Sequence, residues 1–357
     1  MALARRIAPR IAPQIALRRT DENAAEIRAL TDRFGGAVGV EGVIANLSRQ
    51  ARPTTTDGSA VTRAYAWEER DNWDSRWWPQ GITWSTDVSA PEGVVVTSAY
   101  AKNRVGVTMA SRLSIVDLET LRYRHVLLVR PLLWRGRAIF RPLRVHAGGL
   151  VWYGPTYLHV AGARRGIFTC RMQDILKVPP SRATLGHHYV LPIRFAYDAA
   201  AGDMRYSFLS LDRSVSPPEI VAGEYGRDTM PTRLARFQID GDHLSSEAAG
   251  ASAPSLFDDR GVSHMQGAVT TGGTWYVTQS RGPNALGQLQ VGTPGGFRRY
   301  PQALPIGPED ITYWPARNEL WSQTEHPGSR CFFAMDRAQF DGGQSDGAPS
   351  GGDATPA

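Results

Sequence analysis

The segment Gly-Pro-Glu-Asp-Ile-Thr-Tyr-Trp at residues 307–314 decides the fold, because its pattern recurs along the chain. It is followed by Glu-Leu-Trp-Ser-Gln-Thr-Glu-His-Pro-Gly at residues 319–328 and by Cys-Phe-Phe-Ala-Met at residues 331–335. Each segment is short, rich in β-branched and aromatic residues, and bounded by turn-forming residues, which is typical of β-strands. Residues 307–335 therefore predict three consecutive short strands.

Earlier copies of the first segment begin with a polar or small residue and continue with Gly and an aliphatic residue. They are Gln80-Gly81-Ile82-Thr83-Trp84, Gly148-Gly149-Leu150-Val151-Trp152 and, more loosely, Gln266-Gly267-Ala268-Val269. A second and a third apolar run follow each copy. The interval between the second and third copies is about twice a repeat of roughly 40–50 residues. A weaker copy lies inside that interval, starting at residues 206–211.

A repeat of this length with three or four short strands is the signature of a propeller blade. One blade has apolar surfaces on both sides, and blades packed in a ring bury these surfaces against each other. We therefore predict an all-β protein, a β-propeller of five or six blades with a short N-terminal helical extension. A large β-sandwich with accidental internal similarity is the alternative.

The remaining segments give the predicted domain boundaries. We expect a disordered basic arm at residues 1–19, a helical extension and linker at 20–60, the propeller at 61–340 and a disordered tail at 341–357. Thr20 is expected to cap the helix, which would end at Gly35-Gly36. Residues 61–67 alternate like a strand and would close the ring as the outermost strand of the last blade, which removes exposed sheet edges.

Composition limits the partners and the compartment. The 357 residues include 40 basic and 34 acidic side chains, a formal charge of +6, without a long Lys/Arg run typical of nucleic-acid binding. No window approaches the ~20 apolar residues of a membrane helix. Cys170 and Cys331 are the only cysteines and are expected to be free buried thiols. We expect a cytoplasmic monomer with no nucleic-acid or membrane partner, or a secreted protein if the N-terminus is a degenerate leader.

Blade geometry locates the predicted site. The start of the first strand and the end of the second strand lie at the same face of a propeller, and functional residues concentrate where a rigid scaffold holds loops. Polar and aromatic residues collect at both sets of positions. The predicted catalytic residues are His146, His264, Glu309, Glu325 and His326, and the predicted ligand-binding residues are Trp78, Gln80, Tyr100, Arg164, Glu224, Gln266, Arg281 and Asp310.

The chemistry of this predicted site has three interpretations. His146 and His264 occupy equivalent positions and, with Glu309, could hold one divalent metal ion, since imidazole and carboxylate suit Zn, Mn or Fe. They could instead serve as general acid and base, or only hydrogen-bond neighbouring blades. A carboxylate such as Glu309 in a narrow channel is expected to have a raised pKa unless a cation offsets the desolvation.

The position occupied by Gln80, Gln266 and Glu309, with the residues that follow it, resembles the start-of-blade motif of calcium-dependent lactonase, gluconolactonase and strictosidine-synthase-like propellers. The SMP-30/gluconolactonase resemblance covers roughly residues 78–337, and the chain also looks similar to actinobacterial propeller proteins. In that superfamily a channel-facing carboxylate at this position serves the metal or the substrate. Only Glu309 matches this acidic residue; Gln80, Gly148 and Gln266 depart from the pattern.

These observations favour an enzyme that acts on a small molecule at the channel mouth, a hydrolase, lyase or cyclase with acid/base or metal-assisted chemistry. One alternative is a non-catalytic carbohydrate- or protein-binding propeller that uses Trp78, Tyr100 and Tyr225. Another is an interaction platform built on the Arg-rich residues 119–145. Phosphate-binding Gly loops, Rossmann fingerprints, His-Glu-x-x-His and Gly-x-Ser-x-Gly are absent from the sequence.

Overall fold

The computed structural model describes residues 15–85, 93–154, 156–200, 204–246 and 250–341. These residues form antiparallel sheets arranged around a central channel, so the prediction of an all-β propeller is confirmed and the sandwich alternative is wrong. The described part of the chain contains five antiparallel units, which we number 1 to 5 in the order of their innermost strands.

The strands of each unit follow one another from the channel outward. Unit 1 contains Trp77–Ser85, Val94–Lys102, Thr108–Asp117 and Arg122–Trp134, with Arg137–Pro142 as an added hairpin strand. Unit 2 contains Leu150–Tyr153, Tyr157–Ala161, Ile167–Arg171 and Tyr189–Ala199. Unit 3 contains Phe208–Asp212, Glu219–Gly223, Leu234–Asp240 and Leu256–Asp258, with His243–Leu244 paired to its third strand. Unit 4 contains Met265–Thr271, Thr274–Gln279, Leu286–Gly292 and Arg298–Ile306. Unit 5 contains Pro308–Trp314, Glu319–Thr324, Cys331–Asp336, Val61–Ala66 and Arg52–Thr54.

The ring closes through its innermost strands and through the N-terminal strand. Each innermost strand contacts that of the next unit, and the innermost strand of unit 5 contacts that of unit 1. Val61–Ala66 pairs with Cys331–Asp336, so the segment predicted to close the ring does so. Units 1 and 2 are also joined at their outer edges, where Leu127 and Val190 pair in parallel strands.

The glycines of the recurring motif lie where innermost strands approach each other closely. A Cβ atom at Gly149 would lie 1.8 Å from the backbone nitrogen of Leu209, and one at Gly267 would lie 2.6 Å from Cα of Asp310. Glycine is therefore needed at these two positions for backbone to approach backbone. The motif that predicted the repeat marks places where innermost strands of neighbouring units come into close contact.

In unit 5 the corresponding position is occupied by Asp310 instead of glycine. Its side chain is fully buried, and its Oδ2 accepts hydrogen bonds from the backbone N–H groups of Ile82 at 3.1 Å and Leu150 at 3.3 Å. One carboxyl group thus links the innermost strands of units 5, 1 and 2. Burial raises the pKa of Asp310 well above its usual value, and the backbone hydrogen bonds only partly offset this rise.

The N-terminal region differs in part from the prediction. Leu17–Arg19, predicted within the disordered arm, is a strand that pairs with Tyr189–Ala199 of unit 2. Helix α1 is Ala24–Phe34 and ends at Gly35 as expected, but Thr20 does not cap it, because the Thr20 hydroxyl accepts from the backbone N–H of Ala196. The rest of the predicted arm and tail, residues 1–14 and 342–357, lies outside the described residues.

The other short elements surround the ring. Helix α2 is Gly39–Ile44 and helix α3 is Glu69–Asn72. The short strands are Arg49–Gln50, Leu176–Lys177 and Ala251–Ser252, and the 3-10 helices are Met172–Asp174, Pro315–Arg317 and Arg337–Phe340. Arg52–Thr54, which the sequence assigned to the linker, extends the sheet of unit 5.

Apolar and aromatic side chains fill the space between units. Trp84 of unit 1 stacks on Trp314 of unit 5, with ring centroids 4.6 Å apart. Cys170 and Cys331 are both buried free thiols, as predicted. Across the described ranges, no helix combines the length and apolar character needed to cross a bilayer.

Replacing Asp310 should test its role in the ring. In Asp310→Ala, two buried backbone N–H groups lose their acceptor, at about 1–3 kcal/mol each, so the free energy of unfolding should fall by about 2–6 kcal/mol. Asp310→Asn retains an acceptor oxygen and should lose less. Urea unfolding of both variants measures the difference, and an alanine variant as stable as the wild type would contradict this role.

Buried histidines should make the fold sensitive to acid. His159 is 1% exposed, its Nδ1 lies 3.0 Å from Oγ1 of Thr169, and burial with a smaller effect of His243 lowers its pKa to about 3. An unfolded His has a pKa of about 6.5. At pH values between the folded and the unfolded pKa, the unfolded chain binds one more proton than the folded chain, so the free energy of unfolding decreases as the pH falls below the unfolded pKa.

From pH 7 to pH 5 this one side chain should account for about 2 kcal/mol of lost stability. We expect His159→Gln to show a smaller loss than the wild type when urea unfolding is compared at the two pH values. His188, which is exposed, provides the matched control, and His188→Gln should lose as much as the wild type. Equal pH dependence in all three proteins would rule out the linkage.

Candidate active site

Irregularities in three innermost strands place polar side chains at one end of the channel. The pairing register shifts between Pro79 and Ile82 in unit 1, between Met265 and Gly267 in unit 4, and between Pro308 and Ile311 in unit 5. Such bulges bend a strand and redirect a side chain. The residues inside these shifts include Gln80, Gln266 and Glu309, and all three line the same cavity.

This cavity, which we call the mouth cavity, has a volume of about 820 Å³. It contains many of the predicted site residues, together with others that the sequence did not single out. The predicted residues in its wall are Gln80, Tyr100, His146, Arg164, Gln266, Glu309 and Glu325. The structure therefore brings together residues from the start of first strands and the end of second strands, as the blade geometry predicted.

Two carboxyl groups lie in the mouth cavity in different environments. Glu309 is 3% exposed and accepts a hydrogen bond from Nε2 of Gln266 at 3.2 Å. Burial, followed by the charges of Glu325 and Asp310, raises the pKa of Glu309 well above its usual value. Burial also raises the pKa of Glu325, but three cations, His326 when protonated, Lys102 and Arg330, oppose that rise. Glu309 is thus the carboxyl that more readily keeps its proton.

Tyr100 and Lys102 stand beside the carboxyl groups. Tyr100 is 3% exposed, and burial together with the charges of Glu325 and Glu309 raises its pKa, so its phenol stays protonated. Nζ of Lys102 lies 4.3 Å from the ring centroid of Trp78 and 4.8 Å from that of Tyr100. A phenol donor and an ammonium group therefore face the same space as the carboxyl pair.

His146 packs on Tyr100 with ring centroids 3.9 Å apart. Its ring is open to the cavity, but surrounding wall atoms desolvate it and Lys102 adds a positive charge, and both effects lower its pKa. Near pH 7 the imidazole is neutral, so it can accept one hydrogen bond and donate another.

The wall of the mouth cavity has more positive than negative groups. Its cations are Lys102, Arg144, Arg164, Arg165, Arg205 and Arg227, against the two carboxyl groups Glu309 and Glu325. Within the described residues, the ion pairs of these arginines are limited to Arg227 with Asp228, at 3.3 Å on the surface. The mouth cavity is suited to a ligand that carries negative charge.

Two predicted ligand-binding residues have structural roles instead. Asp310 is fully buried in the ring and cannot touch a ligand in the mouth cavity. Glu224 is 3% exposed, forms an ion pair with Arg233 at 2.6 Å and accepts from the backbone N–H of Arg205 at 2.7 Å. Its carboxylate lines a neighbouring cavity of about 640 Å³ and is saturated by these contacts.

The other predicted residues lie beside the mouth cavity or away from it. Nε2 of His326 lies 4.0 Å from Oε1 of Glu325, and its ring packs edge-to-face against Trp78. His326 and Trp78 therefore lie next to the carboxyl pair without lining the cavity. His264 contacts Tyr225 through an edge-to-face packing with centroids 5.3 Å apart. Arg281 is exposed and does not belong to the described cavity wall.

The metal hypothesis receives no geometric support. In the part of the chain that the structure describes, no group of three or more His, Cys, Asp or Glu side chains is arranged to hold a metal ion. His146 and His264 pack against different tyrosines, Tyr100 and Tyr225, and are not grouped with Glu309 as ligands.

The sequence failed to identify several cations of the mouth. Arg144 precedes the innermost strand of unit 2 and Arg205 precedes that of unit 3, so both occupy positions that the blade geometry marks. The weak copy of the motif at residues 206–211 concealed the start of unit 3. An alignment of all five innermost strands would have marked Arg205, whereas Arg144 was assigned only to the Arg-rich segment 119–145.

Comparison with known proteins finds distant structural similarity and no sequence relative. No family model and no curated protein sequence matches the chain. Among solved structures, it is similar to CoXyl43, a GH43 β-xylosidase/α-arabinofuranosidase from a compost microbial metagenome, with 12% identity, 80% of this chain and 94% of that chain covered, and a TM-score of 0.43.

A gluconolactonase from Xanthomonas campestris has 13% identity, covers 80% of this chain and 97% of its own, and gives a TM-score of 0.38. A GH43_1 enzyme from Xanthomonas citri has 12% identity, 87% and 92% coverage, and a TM-score of 0.40. These enzymes are distant structural neighbours of the chain, each at 13% identity or less and with a TM-score below 0.5.

Proposed function

We propose that this protein is a hydrolase that cleaves a carbon–oxygen bond of a small molecule in the mouth cavity by general acid–base catalysis. The observation that carries the proposal is the pair Glu309 and Glu325, two carboxyl groups in one cavity whose environments differ. Pairs of titratable groups whose surroundings push their pKa values apart are how proteins provide an acid and a base at the same pH.

Glu309 is the general acid in this proposal. It is buried, and its raised pKa keeps a proton on the carboxyl group in the pH range where an exposed carboxyl is ionised. Glu325 is the general base: burial raises its pKa as well, but it is more exposed than Glu309, and the neighbouring charges, Lys102 and Arg330 among them, oppose that rise.

The reaction is balanced with water as the second substrate. Glu325 accepts a proton from water as the water oxygen forms a bond to the electrophilic carbon. Glu309 donates its proton to the leaving oxygen as the carbon–oxygen bond breaks. The proton on Glu325 then passes to solvent and Glu309 is reprotonated, so the enzyme returns to its starting state.

Other residues of the mouth cavity bind and orient the substrate. The Tyr100 hydroxyl donates a hydrogen bond, neutral His146 donates one and accepts one, and the arginines attract an anionic group. Substrates of the structurally similar proteins, xylosides, arabinofuranosides and an aldonolactone, together with uronic acid analogues that carry a carboxylate, are the compounds to test first.

Variants of the two carboxyl groups test their assignment. With any member of this panel that the wild type hydrolyses, Glu309→Gln and Glu325→Gln should each lower kcat/KM by about 10²–10⁴-fold, the usual contribution of a general acid or base. A nitrophenolate leaving group needs no protonation, so Glu309→Gln should lose much less activity on nitrophenyl substrates than on alkyl ones. Glu325→Gln should lose activity equally on both.

The control is Glu119→Gln, since Glu119 is exposed in a turn of unit 1 far from the acid–base pair in sequence. Thermal unfolding should confirm that all three variants fold. For the wild type, the rate should fall at low pH as Glu325 is protonated and at high pH as Glu309 ionises. Full activity in either folded glutamine variant would refute the mechanism.

A non-catalytic binding propeller is the second candidate function, and the surplus of cations with Tyr100 and Tyr225 in the wall favours it. It predicts saturable binding of the acidic panel members without turnover. In that case Arg164→Gln should weaken binding while Glu309→Gln leaves it unchanged, because a protonated carboxyl and an amide are both neutral. Lyase and cyclase chemistry needs the same acid–base pair without water as the nucleophile.

A further inference from the structure

Another cavity shares no lining residue with the mouth cavity. It is formed by helix α3, the outer strands of unit 1 and the loop before the outer strand of unit 2, and its volume is about 330 Å³. We call it the side cavity. Five arginines line it: Arg49, Arg70, Arg76, Arg112 and Arg124.

The most buried carboxylate of the side cavity, Asp71, already has several hydrogen-bond and ion-pair partners. Asp71 is 7% exposed and accepts from the Tyr123 hydroxyl at 2.6 Å, His125 Nε2 at 3.0 Å, Arg49 at 3.1 Å and Arg112 at 3.2 Å. Burial alone would raise its pKa, but His125, Arg112 and Tyr123 lower it below the usual range. Asp71 therefore stays ionised and holds the inner wall together.

The remaining carboxylates do not balance the arginines. Asp74 accepts from the backbone N–H of Arg76 at 2.8 Å, and its side-chain contact with that arginine is long, at 3.8 Å. Glu68 lies 3.4 Å from Arg49, just outside the cavity wall. Five guanidinium groups thus face three carboxylates, and an anionic ligand would relieve the excess.

Arg112 gives an independent sign of a missing partner. It is 8% exposed, it packs over the ring of Trp77 at 4.4 Å, and its Nε is buried without a hydrogen-bond partner among the described residues. An unsatisfied donor on a buried cation is costly. The groups around Arg112 therefore supply fewer acceptors than its guanidinium has donors.

The imidazole of His187 adds a hydrogen-bond acceptor to these donors. Its Nδ1 lies 2.9 Å from the carbonyl oxygen of Thr184 and so donates to it. Burial, followed by the charge of Arg112, lowers the pKa of His187 to about 3, so the ring is neutral and its Nε2 can accept. The side cavity therefore offers several guanidinium donors and an acceptor for a hydroxyl group.

We propose that the side cavity binds a phosphate group, either as free phosphate or as the phosphomonoester of a small metabolite. Planar guanidinium groups that approach from several directions match the terminal oxygens of a tetrahedral phosphate better than a single planar carboxylate. Nε2 of the neutral His187 can accept a hydrogen bond from a protonated phosphate oxygen or from an adjacent hydroxyl group of the ester. A volume of about 330 Å³ accommodates phosphate with a small organic group.

Calorimetric titration with inorganic phosphate and with glycerol 3-phosphate tests the proposal at constant ionic strength. The wild type should bind at least one of the two, and the tighter one identifies the source of the phosphate group. The double variant Arg70→Gln/Arg124→Gln should weaken binding at least tenfold. These two arginines are chosen because removing Arg112 would strip Asp71 of a buried partner and risk unfolding.

Two matched variants make the result specific. Arg137→Gln removes an exposed arginine of the unit 1 hairpin and should bind as the wild type does, whereas Arg164→Gln, in the mouth cavity, reports whether the measured binding belongs to that cavity instead. Failure of the wild type to bind both compounds at millimolar concentrations would overturn the proposal. So would binding that survives in Arg70→Gln/Arg124→Gln and disappears in Arg164→Gln. Neither result depends on whether the mouth cavity catalyses a reaction.

Discussion

The contact of Asp310 with the backbone of two other units is the constraint on which the ring depends. The glycines of the recurring motif let the innermost strands approach closely, and the buried carboxyl of Asp310 accepts from backbone N–H groups of two other units there. A buried polar group costs free energy unless it is hydrogen-bonded. The hydrogen bonds from Ile82 and Leu150 to Asp310 therefore stabilise the contact between the innermost strands of units 1, 2 and 5. The same motif that spaces the units also turns Glu309, the residue before Asp310, toward the mouth.

The mouth cavity follows from that arrangement. Bulges at the recurring motif direct Gln80, Gln266 and Glu309 out of the strand pairing and into one space. The ends of second strands add Tyr100 and Glu325 from other directions. Rigid strands hold the two carboxyl groups in unequal surroundings, and this inequality gives the proposed acid and base their separate roles.

The side cavity and the mouth cavity share one structural link. Arg330 is 1% exposed and donates to the backbone carbonyls of Asp71 at 2.9 Å, Asp74 at 2.7 Å and Glu325 at 2.7 Å. The segment that carries α3 is therefore fixed to the turn that carries Glu325. One buried guanidinium satisfies carbonyl groups that would otherwise lack donors, and it joins the N-terminal segment to unit 5.

The sequence by itself determined the propeller, the positions of most strands and the end of the channel where Glu309, Glu325, Tyr100 and His146 lie, because strand and turn patterns are local and repeat along the chain. The sequence could not show that Asp310 hydrogen-bonds to backbone groups inside the ring, whereas Glu309, one residue earlier, lines the mouth cavity. It also did not reveal the side cavity, whose arginines come from residues 49–124 and face His187. Only the tertiary structure decided these points, because burial, unpaired donors and pKa values depend on neighbours distant in sequence.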